Sequence, residues 1–241
     1  MGPLDGRTAL VTGGSRGIGA AIADRLARDG ARVAITYLGS ADHARAVAAA
    51  VGGIAVRADS ADPDALRAAV DRTVEAFGGL DIVVSNAGIA AYGPFEDVTD
   101  DELDHLMAVH ARAAFVLARA ASPHLRSGGR IIAIGSSLAE RVPTPGWAAY
   151  AMSKSALIGL TKGLARDLGP RGITVNLVQP GSTDTGMNPA DGPDADGERV
   201  HTALGRYCDP ADVAAMVAHL AGDGGRNVTG ASILVDAGVV A

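Results

Sequence analysis

The chain has 241 residues, 48% of them apolar and 20% charged, and carries a net charge of −6. That length supplies one large domain with a sizeable core, the acidic balance argues against nucleic acid or an anionic membrane as partner, and no run of about 18 apolar residues marks a membrane span. The start, MGPLDGRTALVTGG, lacks a basic region followed by a long apolar run, and the single cysteine, Cys208, has no internal disulfide partner, so a cytoplasmic protein is expected. The six histidines (43, 105, 110, 124, 201 and 219) show no ligand spacing with cysteine or carboxylates, so no metal is expected.

Strands and helices alternate along the chain. TALVTG (8–13) reads as a strand and 17–29 as a helix; RVAITY (32–37) is followed by a helix at 41–51, and GIAVRA (53–58) by one at 63–77. Asp62-Pro63 has the form of an N-cap with proline at the first helical position, and Gly78-Gly79 ends that helix. LDIVVS (80–85) precedes a helix at 101–121, in which Leu103, Leu106, His110, Ala113 and Leu117 form one stripe. RIIAIG (130–135), a helix at 148–168, ITVNLV (173–178), a helix at 210–221 and SILVD (232–236) complete the series. The strands are apolar almost throughout, which fits burial on both faces in a parallel sheet. The fold expected is a single-domain α/β Rossmann-type doubly wound parallel sheet of about seven strands flanked by helices, spanning 1–241. The stretch 182–207, rich in Gly, Pro and Asp, reads as a mobile substrate loop with room for a short helix.

VTGGSRGIGAAIADRLARDG runs from the first strand into the first helix. Gly13, Gly17 and Gly19 let the backbone turn tightly and approach a pyrophosphate, which then faces the helix N-terminus. A site for NAD usually carries an acid at the end of the second strand to hold the ribose hydroxyls. Here that end reads AITYLGS, with Thr36 and Tyr37 and no acid before Asp42, while Arg16 sits inside the turn where a guanidinium pairs with a 2′-phosphate. Both features favour NADP(H) over NAD(H).

YAMSK places Tyr150 and Lys154 four apart, on one face of a helix. An ammonium there stabilises the phenolate and lowers a pKa near 10 toward the working range for proton transfer. Lys154 and Lys162 are the only lysines, and with 4 tyrosines in 241 residues such a pair arises by chance about 0.03 times.

TGGSRGIG (12–19), SNAG (85–88), GSS (135–137), YAMSK (150–154) and QPGSTDT (179–185) together resemble the short-chain dehydrogenase/reductase superfamily over essentially the whole chain, with a look closest to 3-oxoacyl-carrier-protein reductases and related ketone reductases. The resemblance implies an NADPH-dependent oxidoreductase that reduces a ketone to a secondary alcohol, with secondary alcohol oxidation and a catalytically silent NADP-binding protein as the alternatives. It implies cofactor contacts from Gly13, Ser15, Arg16, Gly17, Ile18 and Gly19, from Tyr37, and from Asp59 and Ser60 beside the adenine. Asn86 would hold the central strand, with Ala87 and Gly88 lining the cofactor. Pro180, Gly181 and Thr183 would flank the nicotinamide, and Thr185 would lie near the phosphates or carboxamide. Tyr150 is the implied general acid, Lys154 binds the nicotinamide ribose and tunes Tyr150, and a serine hydrogen-bonds the substrate oxygen.

Two positions stay open. The family spacing of thirteen residues to the tyrosine selects Ser137; anchoring on the strand GRIIAIGS selects Ser136, which is preferred because loops absorb insertions. AVHARAAF sets His110 where the family usually carries an asparagine that helps hold a proton-relay water. His110 either carries the relay, fills the slot as a neutral hydrogen-bonded ring, or marks a lost activity. Trp147, three residues before Tyr150, stands either against substrate or against its own loop. The resemblance also implies a homotetramer packed through helices 101–121 and 148–168, with a second contact through the last strand and the helix before it.

Overall fold

The computed structural model describes residues 2–241. Seven parallel strands form one sheet: β1 (Thr8–Val11), β2 (Arg32–Tyr37), β3 (Ile54–Arg57), β4 (Leu80–Ser85), β5 (Leu125–Ile134), β6 (Thr174–Pro180) and β7 (Ser232–Val235), in the order β3-β2-β1-β4-β5-β6-β7. Helices α1 (Gly17–Arg28), α2 (Ala41–Ala50), α3 (Pro63–Phe77), α4 (Asp100–Met107), α5 (Ala113–Ala121), α6 (Ala148–Leu168), the short α7 (Ala195–Arg199) and α8 (Pro210–Ala221) connect them. This is the doubly wound α/β sheet expected, with strand order reversing between β1 and β4.

Successive strand residues point to opposite faces. Val11, Ile35, Val84 and Ile132 pack with Ile22 and Leu26 of α1 and Val213 and Val217 of α8. Their neighbours Leu10, Ala34, Val83 and Ile131 pack with Leu66 and Val70 of α3 and Val116 and Leu117 of α5. Two covered faces are why the strands read as continuous apolar runs.

Several boundaries differ from expectation for local reasons. β1 ends at Val11, because Thr12 and Gly13 turn away toward the end of β4. β5 begins at Leu125 rather than 130, paired with Leu80 before a register shift that absorbs Ser127-Gly128-Gly129. The largest departure is the helix expected over 101–121. It runs as α4 and α5 joined by a single π-helical turn, Ala108–Arg112, with His110 at its centre. Asp62 caps α3 as expected, accepting from Asp64 N (2.8 Å), with Gly78 in the left-handed region at its end. Residues 182–207 fold around α7: Tyr207 Oη donates to Asn188 Oδ1 (3.1 Å), Arg199 lies over the Tyr207 ring, and Thr183 pairs with Cys208. No helix among the described residues is long and apolar enough to cross a membrane.

Candidate active site

The turn after β1 and the connections after β4, β5 and β6 lie along the carboxyl edge of the sheet, where the reversal in strand order opens a crevice. The turn from β1 into α1 is shaped for an anion. Gly13 and Gly17 have φ of +64° and +52°, which side chains rarely adopt. A Cβ on Gly19 would stand 2.3 Å from Gly13 O, and one on Gly13 would stand 2.9 Å from Ala87 Cα. Asn86 Nδ2 donates to the carbonyls of Thr12 (2.9 Å) and Gly13 (3.2 Å), tying β4 to the turn. The first turn of α1 holds no acidic residue and no side chain caps it, so its amides and its positive dipole end remain available to a phosphate. Arg16, at the N-cap, is exposed and forms no ion pair among the described residues. At the end of β2, Thr36 is buried against Gly13, its Oγ1 accepting from Gly13 N (3.1 Å), and Asp42 is paired with Arg45. These groups fit a phosphorylated dinucleotide.

Across the crevice, Ser136, two residues past β5, lies near enough to the hydroxyl of Tyr150, at the start of α6, to favour its ionised form. Ser136 Oγ accepts from Leu138 N (3.2 Å), while Ser137 is buried and its carbonyl accepts from Glu140 N and Arg141 N. Lys154, one turn beyond Tyr150, is buried; its Nζ donates to Ile134 O (3.1 Å) and lies 5.8 Å from the Tyr150 ring centroid. Burial brings the ammonium down to about 8. Tyr150 moves opposite to the sequence expectation. Burial raises its phenol above the usual value, and the nearby Ser136 hydroxyl only partly offsets this. The lysine is turned to the Ile134 carbonyl, and desolvation wins over its charge.

His110 is 2% exposed. Its Nε2 accepts from Ile89 N (3.1 Å). Its Nδ1 lies 2.8 Å from Ser153 Oγ, which itself donates to the Tyr150 carbonyl (2.7 Å). The serine's one proton is therefore committed, so Nδ1 carries the imidazole proton and donates. Burial, and then the charge of Lys154, hold the imidazolium down to about 2, so the ring is neutral. The ring meets Tyr150 edge-on at 5.6 Å. The π turn swings His110 into this position, and Gly88 leaves the space: a Cβ there would lie 3.3 Å from His110 Nε2 and 3.5 Å from Lys154 Nζ.

A family model described as enoyl-(acyl carrier protein) reductase matches residues 13–240. Versicolorin reductase stcU of Emericella nidulans is 42% identical, over 98% of this chain and 96% of its own. A short-chain dehydrogenase from Burkholderia cenocepacia, solved in complex with NADP, superposes with a TM-score of 0.98 at 57% identity, covering 99% of this chain and all of that one. This chain belongs to the short-chain dehydrogenase/reductase family. It is therefore an NAD(P)-dependent oxidoreductase. Another family relative, 48% identical over 98% of both chains, is the cyclic-di-GMP-binding biofilm dispersal mediator protein of Escherichia coli.

The remaining predicted positions of this family member lie along the same edge. Ser15 is buried in the turn and Ile18 packs on the core below it. Tyr37 ends β2, and Asp59, just beyond β3 and before Ser60, accepts from Ala61 N (2.8 Å). Pro180 ends β6. Gly181 passes so close to β7 that a Cβ would stand 2.7 Å from Asp236 Cα. Thr183 Oγ1 donates to Gly181 O (2.9 Å), and Thr185 faces Gly17. Sequence reading missed Ser153, Ile89 and Tyr92. Ser153 lies inside the YAMSK motif, but its partner is 43 residues away and no spacing rule joins them. Tyr92 stacks on Trp147, with ring centroids 5.0 Å apart. The one signal for it was the scarcity of aromatic residues.

Proposed function

We propose that this short-chain dehydrogenase/reductase reduces a ketone to a secondary alcohol, with NADP(H) as its cofactor. The NADP complex of the Burkholderia relative, the uncommitted Arg16 and the absence of an acid at the end of β2 support that cofactor. Gly13, Gly17, Gly19 and the first amides of α1 would hold the pyrophosphate, Arg16 the 2′-phosphate, Asp59 and Ser60 the adenine side, and Pro180, Gly181, Thr183 and Thr185 the nicotinamide side. Bound there, the cofactor supplies the hydride.

The observation that carries the reading is Tyr150 with Ser136 beside its hydroxyl and buried Lys154 one helical turn beyond, its Nζ 5.8 Å from the Tyr150 ring centroid. Ser136 Oγ and Tyr150 Oη would both donate to a substrate carbonyl oxygen, which gains negative charge as its carbon accepts hydride. Tyr150 delivers its proton to that oxygen, and the C=O π bond becomes a C–O single bond bearing hydrogen. The phenolate left behind is stabilised by the nearby ammonium of Lys154 and regains a proton from solvent. The raised phenol pKa suits this direction, since it keeps Tyr150 protonated until charge arrives on the substrate.

NADPH consumption on a panel of β-keto thioesters and cyclic and aromatic ketones tests the reading, with NADH as cofactor control. Turnover is expected with NADPH and is lost in Tyr150→Phe; wild-type rates in that variant refute Tyr150 as the acid. The name of the E. coli relative favours a second reading, a cofactor-holding protein that acts by binding. Tight NADPH binding with no turnover on any ketone would select it.

A further inference from the structure

We propose that the substrate is a neutral, planar aromatic ketone, stacked on a wall formed by Trp147 and Tyr92 that continues outward from Tyr150; this rests on the reductase reading above. The chain holds only eight aromatic residues: one Trp, four Tyr and three Phe. Its sole tryptophan and two of its four tyrosines stand in a single row. Trp147 meets Tyr150 at 5.6 Å and 70°, and Tyr92 meets Trp147 at 5.0 Å and 51°. These tilted contacts are the geometry that aromatic quadrupoles favour. The inner end of the row is the ring whose hydroxyl would meet the reacting oxygen.

The row is not core. Tyr92 is 72% exposed, Trp147 is half-buried, and Phe95, three residues beyond Tyr92, is also exposed. The rings are nonetheless held in place. Gly93 N donates to Gly146 O (3.1 Å), joining the loop after β4 to the loop before α6. Gly146 has a φ of +93°, and a Cβ on it would lie 2.6 Å from Tyr92 Cε2, so the backbone itself seats the Tyr92 ring. A rigid, water-facing aromatic surface ending at the catalytic group binds a flat apolar body with little loss of side-chain entropy. Arg141 donates to the Val239 carbonyl and Arg199 to the Ala190 carbonyl and Asp196, so these two guanidiniums are held within the chain and not offered to an anionic or carrier-borne substrate.

Trp147 is the only tryptophan, so intrinsic fluorescence reports on the wall directly. In Tyr150→Phe protein with NADP⁺, 2-acetylnaphthalene is expected to quench that emission saturably, and size-matched 2-acetyldecalin is not. In active protein, kcat/KM for the naphthyl ketone should exceed that for the decalin by roughly tenfold, as expected for stacking on two rings. The ratio should fall several-fold in Trp147→Ala and, separately, in Tyr92→Ala. Equal quenching by both ketones, a wild-type ratio near one, or a ratio unchanged in both variants overturns the proposal, as does equal loss on both substrates in both variants. Quenching without reduction of either ketone would sink the reductase reading and leave the aromatic site standing. Reduction of both alike without quenching would do the reverse.

Discussion

At His110 the hydrogen bonds define a role that the residue type leaves open. With Nε2 held by Ile89 N and Nδ1 by Ser153 Oγ, neither nitrogen is free to pass a proton. We propose that the ring is a positioning clamp between the loop after β4 and the Tyr150 backbone. Asparagine can accept from one partner and donate to the other, so His110→Asn should keep substantial turnover. His110→Leu strands both partners, which costs about 1–3 kcal/mol and should lower both kcat and the melting temperature. An unchanged, fully active leucine variant would refute the clamp. The imidazole is neutral in the fold down to about 2, whereas in the unfolded chain it protonates near 6.5. The unfolded state therefore binds more protons below 6.5, and each unit of acidification removes about 1.4 kcal/mol of stability. Urea titrations below pH 6.5 should show this slope in wild type and lack it in His110→Asn. Lys154 provides the functional titration. Its ammonium is lost as pH rises through about 8, so ketone reduction should decline above that pH, with no inflection near 6.5 from His110. A profile flat through pH 9.5 would exclude Lys154 as the charge that supports Tyr150.

Two elements carry the site, and each departs from regular geometry where chemistry needs it. The turn from β1 into α1 exists only because glycines let Gly13 O, Asn86 and the α1 backbone converge. Gly19→Ala places a methyl 2.3 Å from Gly13 O and 2.5 Å from Asn86 Nδ2. The turn must open, so NADPH affinity should fall more than tenfold, with about 1–3 kcal/mol of stability lost. Gly197→Ala in α7, where a Cβ meets nothing within 4 Å, is the control and should stabilise by about 0.5–1 kcal/mol. Calorimetry on the two variants separates the close approach from a general effect of added bulk; equal binding by Gly19→Ala would refute it. The π turn between α4 and α5 inserts one extra residue per turn without ending the helix, and this directs His110 at Ser153.

For the whole molecule, parallel strands order the chain so that residues from 13 to 185 meet along one edge, although no local interaction joins them. Two large apolar side chains of α5 and α6 are partly open to solvent: Phe115, with the Arg119 guanidinium over its ring, is 45% exposed and Met152 52%. We propose that these helices pack between copies in a homotetramer. Light scattering on the eluting protein should give four times the 24.1 kDa chain mass, and Phe115→Glu or Met152→Glu should reduce it. A monomeric wild type would refute the assembly.

The sequence by itself determined the α/β alternation, the strand cores, the glycine turn and the Tyr150–Lys154 pair. Each of these follows from apolar periodicity, from backbone conformations that only glycine tolerates, or from the i, i+4 geometry of a helix. Tertiary structure decided the rest. Which serine lies near the Tyr150 hydroxyl depends on how β5 ends, not on residue spacing. His110 proved neutral and doubly bonded because Ile89 and Ser153 arrive from other elements. The Tyr150 phenol rose because burial outweighed a lysine turned toward Ile134. Tyr92 joined Trp147 through a backbone bond between two loops. In every such case the controlling quantity was desolvation or a contact between distant segments, which exists only once the chain has closed on itself.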